Sequence, residues 1–575
     1  MPIHNSDIVR IFNQVADLLE IGNANPFRVR AYRNASRTVG DQVQSIASML
    51  EEGKDLAELP DIGDDLAGKI AEIVDTGTLH LLEELEREVP GELSELLEIA
   101  QLGPKRVATL HGELDIETID DLKDAAEQEK IRKLEGFGQK LEEKILKEIE
   151  RRQGTEQRVK FASAEQVVGP LMNYLEAGDG IRRVAVAGSF RRRRETVGDL
   201  DILVICDDDS PVMDRFVDYE DIEEVLAKGG TRSSVRLRGG LQVDLRVVPE
   251  ESYGAALYYF TGSKEHNIAV RKIAVKKDLK INEYGVFRSK DEEERVAGES
   301  EEEVFAAVDL PYIEPELREN HGEIEAARDG KLPELVELDD IRGDLHAHTA
   351  ATDGRAALEE MVEAARGLGY SYLAITEHSQ AVSVAKGFDR KRLERQIDEI
   401  DRLTDRYSGF RIFKGIEVDI LKDGSLDLPD EVLDKLDFTV CSVHSHFNLT
   451  SGRQTERIIR AMDNPHFSIL GHPSGRLINE REPYPLDMEK VIEAARERGC
   501  FLELNAHPDR LDLNDRHCRL AKERGVKVAI STDAHSTQGL NNMRYGIYQA
   551  RRGWLSRDDV INTRRAADLL KLLRR

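Results

Sequence analysis

Ile8, Ile11, Phe12, Val15, Leu18 and Leu19 recur every three or four positions, with Asp7, Arg10 and Asp17 between them, and this spacing predicts an amphipathic helix near the N-terminus. Helical periodicity persists to about residue 150, broken by short glycine-centred turns and with little that alternates at the two-residue period of a strand. Around residue 184 the pattern changes. Val184-Ala185-Val186-Ala187 predicts a strand running into a Gly188-Ser189 turn, and Gly198-Asp199-Leu200-Asp201-Ile202-Leu203-Val204 predicts a second strand. Leu241-Gln242-Val243-Asp244-Leu245-Arg246-Val247-Val248 alternates as a half-buried strand does. After an acidic, proline-containing stretch around residues 315–340, short apolar strands alternate with helices, the order of a parallel β/α barrel.

A chain of 575 residues exceeds what one hydrophobic core holds, so three or four domains are expected. With 40% hydrophobic and 34% charged residues and no apolar run long enough to cross a bilayer, the composition is that of a soluble globular protein. The N-terminus lacks a signal-peptide pattern, so a cytoplasmic protein with no membrane partner is expected. Cys206, Cys441, Cys500 and Cys518 form no CxxC pair, which points to reduced, buried thiols rather than a thiolate zinc site. The formal charge of -29 speaks against unselective coating of nucleic acid, because phosphate affinity comes from Lys and Arg. A local run such as Arg191-Arg192-Arg193-Arg194 can still present a positive surface on an acidic body.

The middle region carries the first chemistry. Asp199 and Asp201 lie two apart and so on one face of a strand, and Asp244 belongs on an adjacent one. Three such carboxylates suit two Mg²⁺ or Mn²⁺ ions, one activating a primer 3′-OH and the other neutralising a triphosphate. Gly188 and Ser189 offer N–H and hydroxyl donors to phosphates, and Arg192 adds charge-assisted bonds. The Gly-Ser turn, the Asp pair and the third Asp, in that order, identify a nucleotidyltransferase that resembles the family X DNA polymerases. The resemblance extends to Tyr259-Phe260-Thr261-Gly262-Ser263, Asn267 and Arg271. It implies a dNTP pocket with the aromatic pair against the sugar, Asn267 at the minor-groove edge of the base and Arg271 on the template side. Unaided, the same stretch could be an aromatic core helix, and the role of Lys264 stays open. Ile281-Asn282-Glu283-Tyr284-Gly285-Val286-Phe287 resembles the hairpin near the end of the family's palm-and-thumb unit.

Ahead of this region one turn type recurs three times, in Leu59-Pro60-Asp61-Ile62-Gly63, Ala100-Gln101-Leu102-Gly103-Pro104 and Leu134-Glu135-Gly136-Phe137-Gly138. Each leads into an amphipathic helix and resembles the helix-hairpin-helix motif, in which glycine permits a tight turn and bares amide N–H groups to a DNA phosphate. Gly63, Gly103, Gly136 and Gly138 are therefore the expected DNA contacts, with an ordinary glycine cap as the alternative for any single copy. Residues 1–85 also resemble the lyase domain at the front of polymerase β, where a lysine forms a Schiff base. The matching residue is Lys69, but Asp64 and Asp65 stand where the family often carries a helping lysine. Lys69 is therefore a possible lyase residue, with a phosphate contact as the plainer role.

In the C-terminal third, six strand-like segments end in His, Glu or Asp: Gly343–His348 with Asp353 beyond, Leu373–His378, Phe413–Glu417, Val440–His444, Ile469–His472 and Val528–His535. Imidazole mixed with carboxylate suits Zn²⁺, Mn²⁺ or Fe²⁺. The pattern resembles the polymerase and histidinol phosphatase (PHP) domain, and the nine ligand positions that resemblance implies are His346, His348, Asp353, His378, Glu417, His444, His472, Asp533 and His535. Carried over by motif, His346, His348, Glu417 and Asp533 hold one ion, Glu417 bridges to a second held by His444 and His472, and Asp353, His378 and His535 take a third. His446 and His507 are expected to support the site or touch substrate, with a surface role as the plainer alternative.

The chain is thus expected to be multidomain, with a helical domain over 1–85, a helix-hairpin-helix fingers-type domain over 86–155 and an α+β nucleotidyltransferase palm and thumb over 156–315. A linker over 316–340 and a seven-stranded β/α metal barrel over 341–575 follow. The resemblance implies a monomeric DNA polymerase acting on gapped or primed DNA and dNTPs, with metal-dependent phosphodiester hydrolysis in the barrel. The rival reading is a small-molecule phosphoesterase whose front half only binds DNA.

Overall fold

A computed structural model describes residues 3–573 apart from 4, 23, 41, 43–45, 89–92, 94, 95, 97, 98, 100, 101, 135, 155–157 and 290. The chain divides into two compact units: Met1–Val159 with Ser163–Gly178 and Pro211–Val243, and Lys160–Ala162 with Asp179–Ser210 and Asp244–Arg575.

In the first unit, helices Asn5–Ile21, Pro26–Gly40 and Asp64–Thr76 close on one core. Ile8, Phe12, Val15 and Ile70 are fully buried there, and Phe12 meets Tyr32 edge to face at 5.4 Å between ring centres. A second core gathers Leu110, Leu122 and Ile145 from helices Pro104–Leu114, Ile119–Glu127 and Gln139–Gly154. Thr118 and Asp121 form a capping box at the middle one. An antiparallel hairpin of Ile222–Lys228 and Arg232–Leu237 belongs to the same unit.

In the second unit, β1 (Ile181–Val186) pairs antiparallel with β2 (Asp199–Cys206), and β3 (Gln242–Val247), which enters this unit at Asp244, adjoins β2 on its other side. Leu203 and Ile205 bury against Tyr253, Ala256 and Leu257 of helix Tyr253–Thr261. Ser263 caps the next helix, Lys264–Lys276, by accepting a bond from the His266 N–H at 3.2 Å. The hairpin of β4 (Leu279–Asn282) and β5 (Gly285–Arg288) and helix Glu301–Ala307 complete this core around Tyr258, Val270 and Phe305.

The stretch 316–340 is folded rather than a bare linker. Leu317, Ile324, Ala327 and Leu335 join the Phe305 core, and helix Glu323–Arg328 forms within the stretch. Its acidic composition hides this because the charges are paired inside the molecule: Arg318, fully buried, reaches Glu301 at 2.6 Å, and Glu323 meets His266 at 2.6 Å.

The barrel strands are β6 (Gly343–Asp344), β7 (Tyr372–Ile375), β8 (Arg411–Lys414), β9 (Glu417–Asp419), β10 (Val440–Ser442), β11 (Ile469–Leu470), β12 (Phe501–Asn505) and β13 (Val528–Ser531). The pairings within β6-β7-β8 and β9-β10-β11-β12-β13 are parallel. Strands β8 and β9 are one run interrupted at Gly415-Ile416, so the described residues form seven staves. Ala347 bridges to Ala534 and Val528 to Val560. Buried Asn562 fastens the closure, donating to the Gly343 and Ile530 carbonyls at 2.9 and 2.8 Å and accepting from the Ile530 N–H at 3.0 Å. Leu345, Ala374, Phe413, Val440, Ile469 and Ala529 share one buried apolar cluster in the barrel. Cys441, Cys500 and Cys518 are buried, Cys206 is half-buried and all four are free thiols. No helix of the described residues is long and apolar enough to cross a membrane.

Candidate active site

The C-terminal ends of the barrel strands deliver nine side chains to one place. His346 and His348 follow β6, His378 follows β7, Glu417 opens β9, His444 and His472 follow β10 and β11, and Asp533 and His535 follow β13. Asp353 comes from the loop after His348. Glu417, 1% exposed, is the hub: its Oε2 lies 3.5, 3.6 and 2.7 Å from nitrogens of His346, His348 and His378, and its Oε1 lies 3.2 and 3.0 Å from His444 and His472. Ligand atoms within 4.8 Å of one another form three groups: His346, His348 and Asp533; His378, Glu417 and His444; and His348, Asp353, His378 and His535. His348 and His378 each stand in two groups, which the expected one-ion assignment of each does not capture.

Several of these atoms are buried yet make no hydrogen bond: His346 Nε2, both nitrogens of His348, His378 Nδ1 and Glu417 Oε2. Convergent buried donors left without hydrogen bonds fit a cation. The electrostatics agree. Burial, with His535 and His378 alongside, pushes His348 down to about 3, which keeps it neutral. Burial opposes the charge on Glu417 and Asp533, but the surrounding imidazoles hold both well below the carboxylate range. The backbone is strained here as well, with φ at +25° for His472 and +53° for Asp533.

In the palm, Asp199 and Asp201 share a face of β2 and Asp244 lies on adjoining β3. These aspartates do not form a ligand cluster as tight as those of the barrel. Arg246 Nη2 approaches Asp244 Oδ2 at 3.5 Å while its guanidinium stands 4.3 Å over Phe260. Gly188, at φ +64°, closes on the acid face: a Cβ there would come 2.9 Å from Asp201 Oδ2. The Ser189 hydroxyl is buried without a hydrogen-bond partner. Tyr259 and Phe260 meet edge to face at 5.2 Å, Asn267 donates to the Tyr259 carbonyl at 2.7 Å and Arg271 lies 5.9 Å from the Tyr259 ring centre. Gly262, at φ +70°, has Arg192 Nη1 3.2 Å from where a Cβ would stand.

The helical turns differ from expectation in one respect. Gly63 and Gly103 are N-cap residues with φ of -87° and -93°, and the left-handed residue of the first turn is Asp61. What these two glycines provide is room, since a Cβ on either would meet nothing within 4 Å. Gly136 is left-handed at φ +80°, and Gly138 is likewise open. Ala100, Gln101 and Glu135 of these turns lie outside the described residues. Lys69 bonds to Asp65 one helical turn away.

Among known proteins, the DNA polymerase/3′-5′ exonuclease PolX of Bacillus subtilis is 40% identical over 575 residues, all of both chains. The chain belongs to the PolX group of family X DNA polymerases. Family descriptions match in the same order: a helix-hairpin-helix domain over 3–79, a SAM-like helix-hairpin-helix tandem over 93–151, a DNA polymerase beta thumb over 256–319 and a PHP domain over 344–507. Probable phosphatases are similar to a little over a third of the chain or less. One from Thermoanaerobacter sp. (strain X514) is 30% identical over 231 residues, 38% of this chain and 89% of its own, and one from Acetivibrio thermocellus is 33% identical over 201 residues, 33% and 78% respectively.

In this PolX chain the half-buried Arg191–Arg194 run is engaged by neighbours within the protein. Arg191 pairs with Glu301 at 2.6 Å, Arg192 and Arg194 with Glu319 at 3.1 and 3.4 Å, and Arg193 lies over Tyr548 at 4.2 Å. Sequence reasoning also missed the residues that orient the candidate ligands. Glu503 Oε1 takes His346 Nδ1 at 2.7 Å, Asp419 takes His444 Nδ1 at 3.1 Å, and Asp344 accepts the His346 N–H at 3.2 Å. The alternation in Phe501-Leu502-Glu503-Leu504-Asn505 was the available signal for the seventh stave. His446 and His507 have no resolved tie to the ligands, although the His507 N–H bonds to Asn505 Oδ1 and Asn505 donates to Asp533.

Proposed function

We propose that this PolX fills short gaps in DNA with its palm and hydrolyses phosphodiester bonds at DNA ends with its barrel. The observation that carries the second activity is the clustering of nine candidate ligands around Glu417, which five of their imidazoles touch, with buried nitrogens and the Glu417 Oε2 oxygen that no hydrogen bond satisfies. His346, His348, Glu417 and Asp533 would hold one ion, Glu417, His444 and His472 a second, and Asp353, His378 and His535 a third, as Zn²⁺, Mn²⁺ or Fe²⁺. Bound ions of this kind supply hydroxide near neutral pH and neutralise the attacked phosphate. Arg510, 3.7 Å from Asp533, stands ready to meet the phosphate backbone.

For synthesis, Asp199, Asp201 and Asp244 would hold Mg²⁺ or Mn²⁺, which supplies charge neutralisation for in-line attack on the triphosphate. The buried Ser189 hydroxyl and the Arg192 guanidinium bind phosphate oxygens. Tyr259 and Phe260 support the sugar, Gly262 leaves it room, and Asn267 and Arg271 face the base pair. Gly63, Gly103, Gly136 and Gly138 admit the DNA backbone, and the protein acts as a cytoplasmic monomer. The phosphoesterase with an inert front half is disfavoured by a full-length polymerase relative that covers the palm as well as the barrel. One gapped, 5′-labelled duplex with Mn²⁺, with and without dNTPs, tests both activities. Asp244→Ala is expected to abolish extension while shortening of the primer continues, and retained extension would remove Asp244 from the site.

A further inference from the structure

Arg192 does not reach the nucleotide site unaided. Its Nη1 donates to the Thr261 carbonyl, at the edge of the proposed sugar pocket, and its Nε donates to Glu319 at 3.1 Å. Two nitrogens fix the plane of the guanidinium, and Nη2 is left for a phosphate oxygen. Glu319 is itself held by a residue from the opposite end of the sequence. Arg552 Nη1 donates to the same Glu319 oxygen at 3.0 Å and to the Arg192 main-chain carbonyl at 2.9 Å. Its Nε and Nη2 bond to Asp515 at 3.1 and 2.7 Å, and its side chain is 5% exposed. Arg552 ends helix Met543–Arg552, which packs on β13, the strand that leads to Asp533. Glu319 is thus shared by Arg192, Arg194 and Arg552; burial would raise it, but their combined charge brings it below its ordinary value.

We propose that Arg552, a residue of the C-terminal barrel, is a positioning residue of the polymerase: through Glu319 and the Arg192 carbonyl it sets the Arg192 guanidinium for the incoming nucleotide's phosphates. This rests on the reading of Arg192 as a phosphate contact. The physical argument is one of pre-organisation. A long arginine side chain loses rotamer freedom when it binds, and a buried carboxylate fixed from its other side removes that cost before the nucleotide arrives. Without Arg552, Glu319 keeps one arginine partner fewer and loses the restraint that places it. Arg192 then has further positions open to it, and nucleotide affinity falls more than the rate at saturation. The barrel therefore contributes to synthesis through a helix on its outside, independently of its metal ligands.

The test is single-nucleotide gap filling with dNTP titration and primer shortening, both on the full chain and the same preparations. Arg552→Met should raise the KM for dNTP about tenfold, the size expected for one charge-assisted bond, while kcat changes less and shortening continues. Arg552→Lys, which keeps the charge but cannot fork between Glu319 and Asp515, should fall between Met and wild type. Arg192→Met should raise KM as well, and adding Arg552→Met to it should raise KM no further. If Arg192→Met leaves KM unchanged, the phosphate reading of Arg192 fails. If Arg192→Met raises KM and both Arg552 variants keep the wild-type value, the role of Arg552 is overturned. Loss of shortening in Arg552→Met would mark a folding defect and move the decision to Arg552→Lys, where an unchanged KM has the same overturning force.

Discussion

To bind an ion through Nε2, His346 would need its proton on Nδ1, and Glu503 Oε1 stands 2.7 Å from Nδ1, placed to accept it. The other Glu503 oxygen accepts the His472 main-chain N–H at 2.6 Å, so one carboxylate orients two of the candidate ligands. Glu503→Gln should weaken metal retention by about 10- to 100-fold. Metal content after dialysis measures this, and excess Mn²⁺ should restore hydrolysis; unchanged content would show that Glu503 is only structural. Lys69 presents the opposite case, a reactive residue type in unhelpful surroundings. Its nitrogen is engaged by the Asp65 carboxylate, whereas a Schiff base needs it turned to a substrate carbonyl. Little borohydride-trapped product is expected from the wild type and more from Asp65→Ala, whereas strong wild-type trapping lost in Lys69→Ala would contradict this. The nine candidate ligands that the fold brings together were legible because imidazoles and carboxylates at strand ends stand out against apolar runs. Glu503 was not, since its partner lies 157 residues away in sequence. Nor does composition announce the left-handed backbone of His472 and Asp533.

Elements were legible where one period ran long enough, as in helix Asn5–Ile21, and illegible where charge is spent inside the fold. Helix Glu323–Arg328 is the example, since Glu323 is buried and accepts from the Asn320 and His321 N–H groups at 2.9 and 2.7 Å as well as meeting His266. Burial would raise Glu323, but His266 and these N–H donors bring it below its ordinary 4.5; burial also lowers His266 from 6.5, so a neutral imidazole donates to an ionised carboxylate. The sign follows directly. A carboxylate lowered in the folded state stabilises it fully above pH 4.5, and that stability is lost as pH falls through the folded value. Glu323→Gln should melt on the order of 2–4 °C below the wild type at neutral pH. The gap should hold down to pH 5 and close below pH 4.5, and a gap that does not depend on pH would exclude the ionised pair.

At the scale of the whole molecule, the strand that carries Asp199 and the barrel lie in one compact unit, so synthesis and hydrolysis share a frame as well as a substrate. Arg476, four residues past His472, pairs with Glu195 at 2.6 Å, and Lys160 reaches Glu480 at 2.6 Å. The two regions are therefore joined by side-chain contacts as well as by the chain. What separates the two activities is which residues each depends on. Glu417 touches His346, His348, His378, His444 and His472 and nothing in the palm, while Arg552 touches Arg192 and Glu319 and no metal ligand. Glu417→Ala removes the carboxylate common to two proposed ions and leaves imidazoles facing each other. Metal content should drop, and hydrolysis should fall on the order of 100-fold or more, beyond the loss from an orienting residue. Extension of a matched primer should persist with its KM for dNTP unchanged, because the helix ending in Arg552 keeps its place, and a primer with a blocked 3′ end should no longer be extended. Undiminished hydrolysis would overturn the role of Glu417. A raised KM for dNTP would mean that the metal centre, and not only the helix outside it, supports the polymerase.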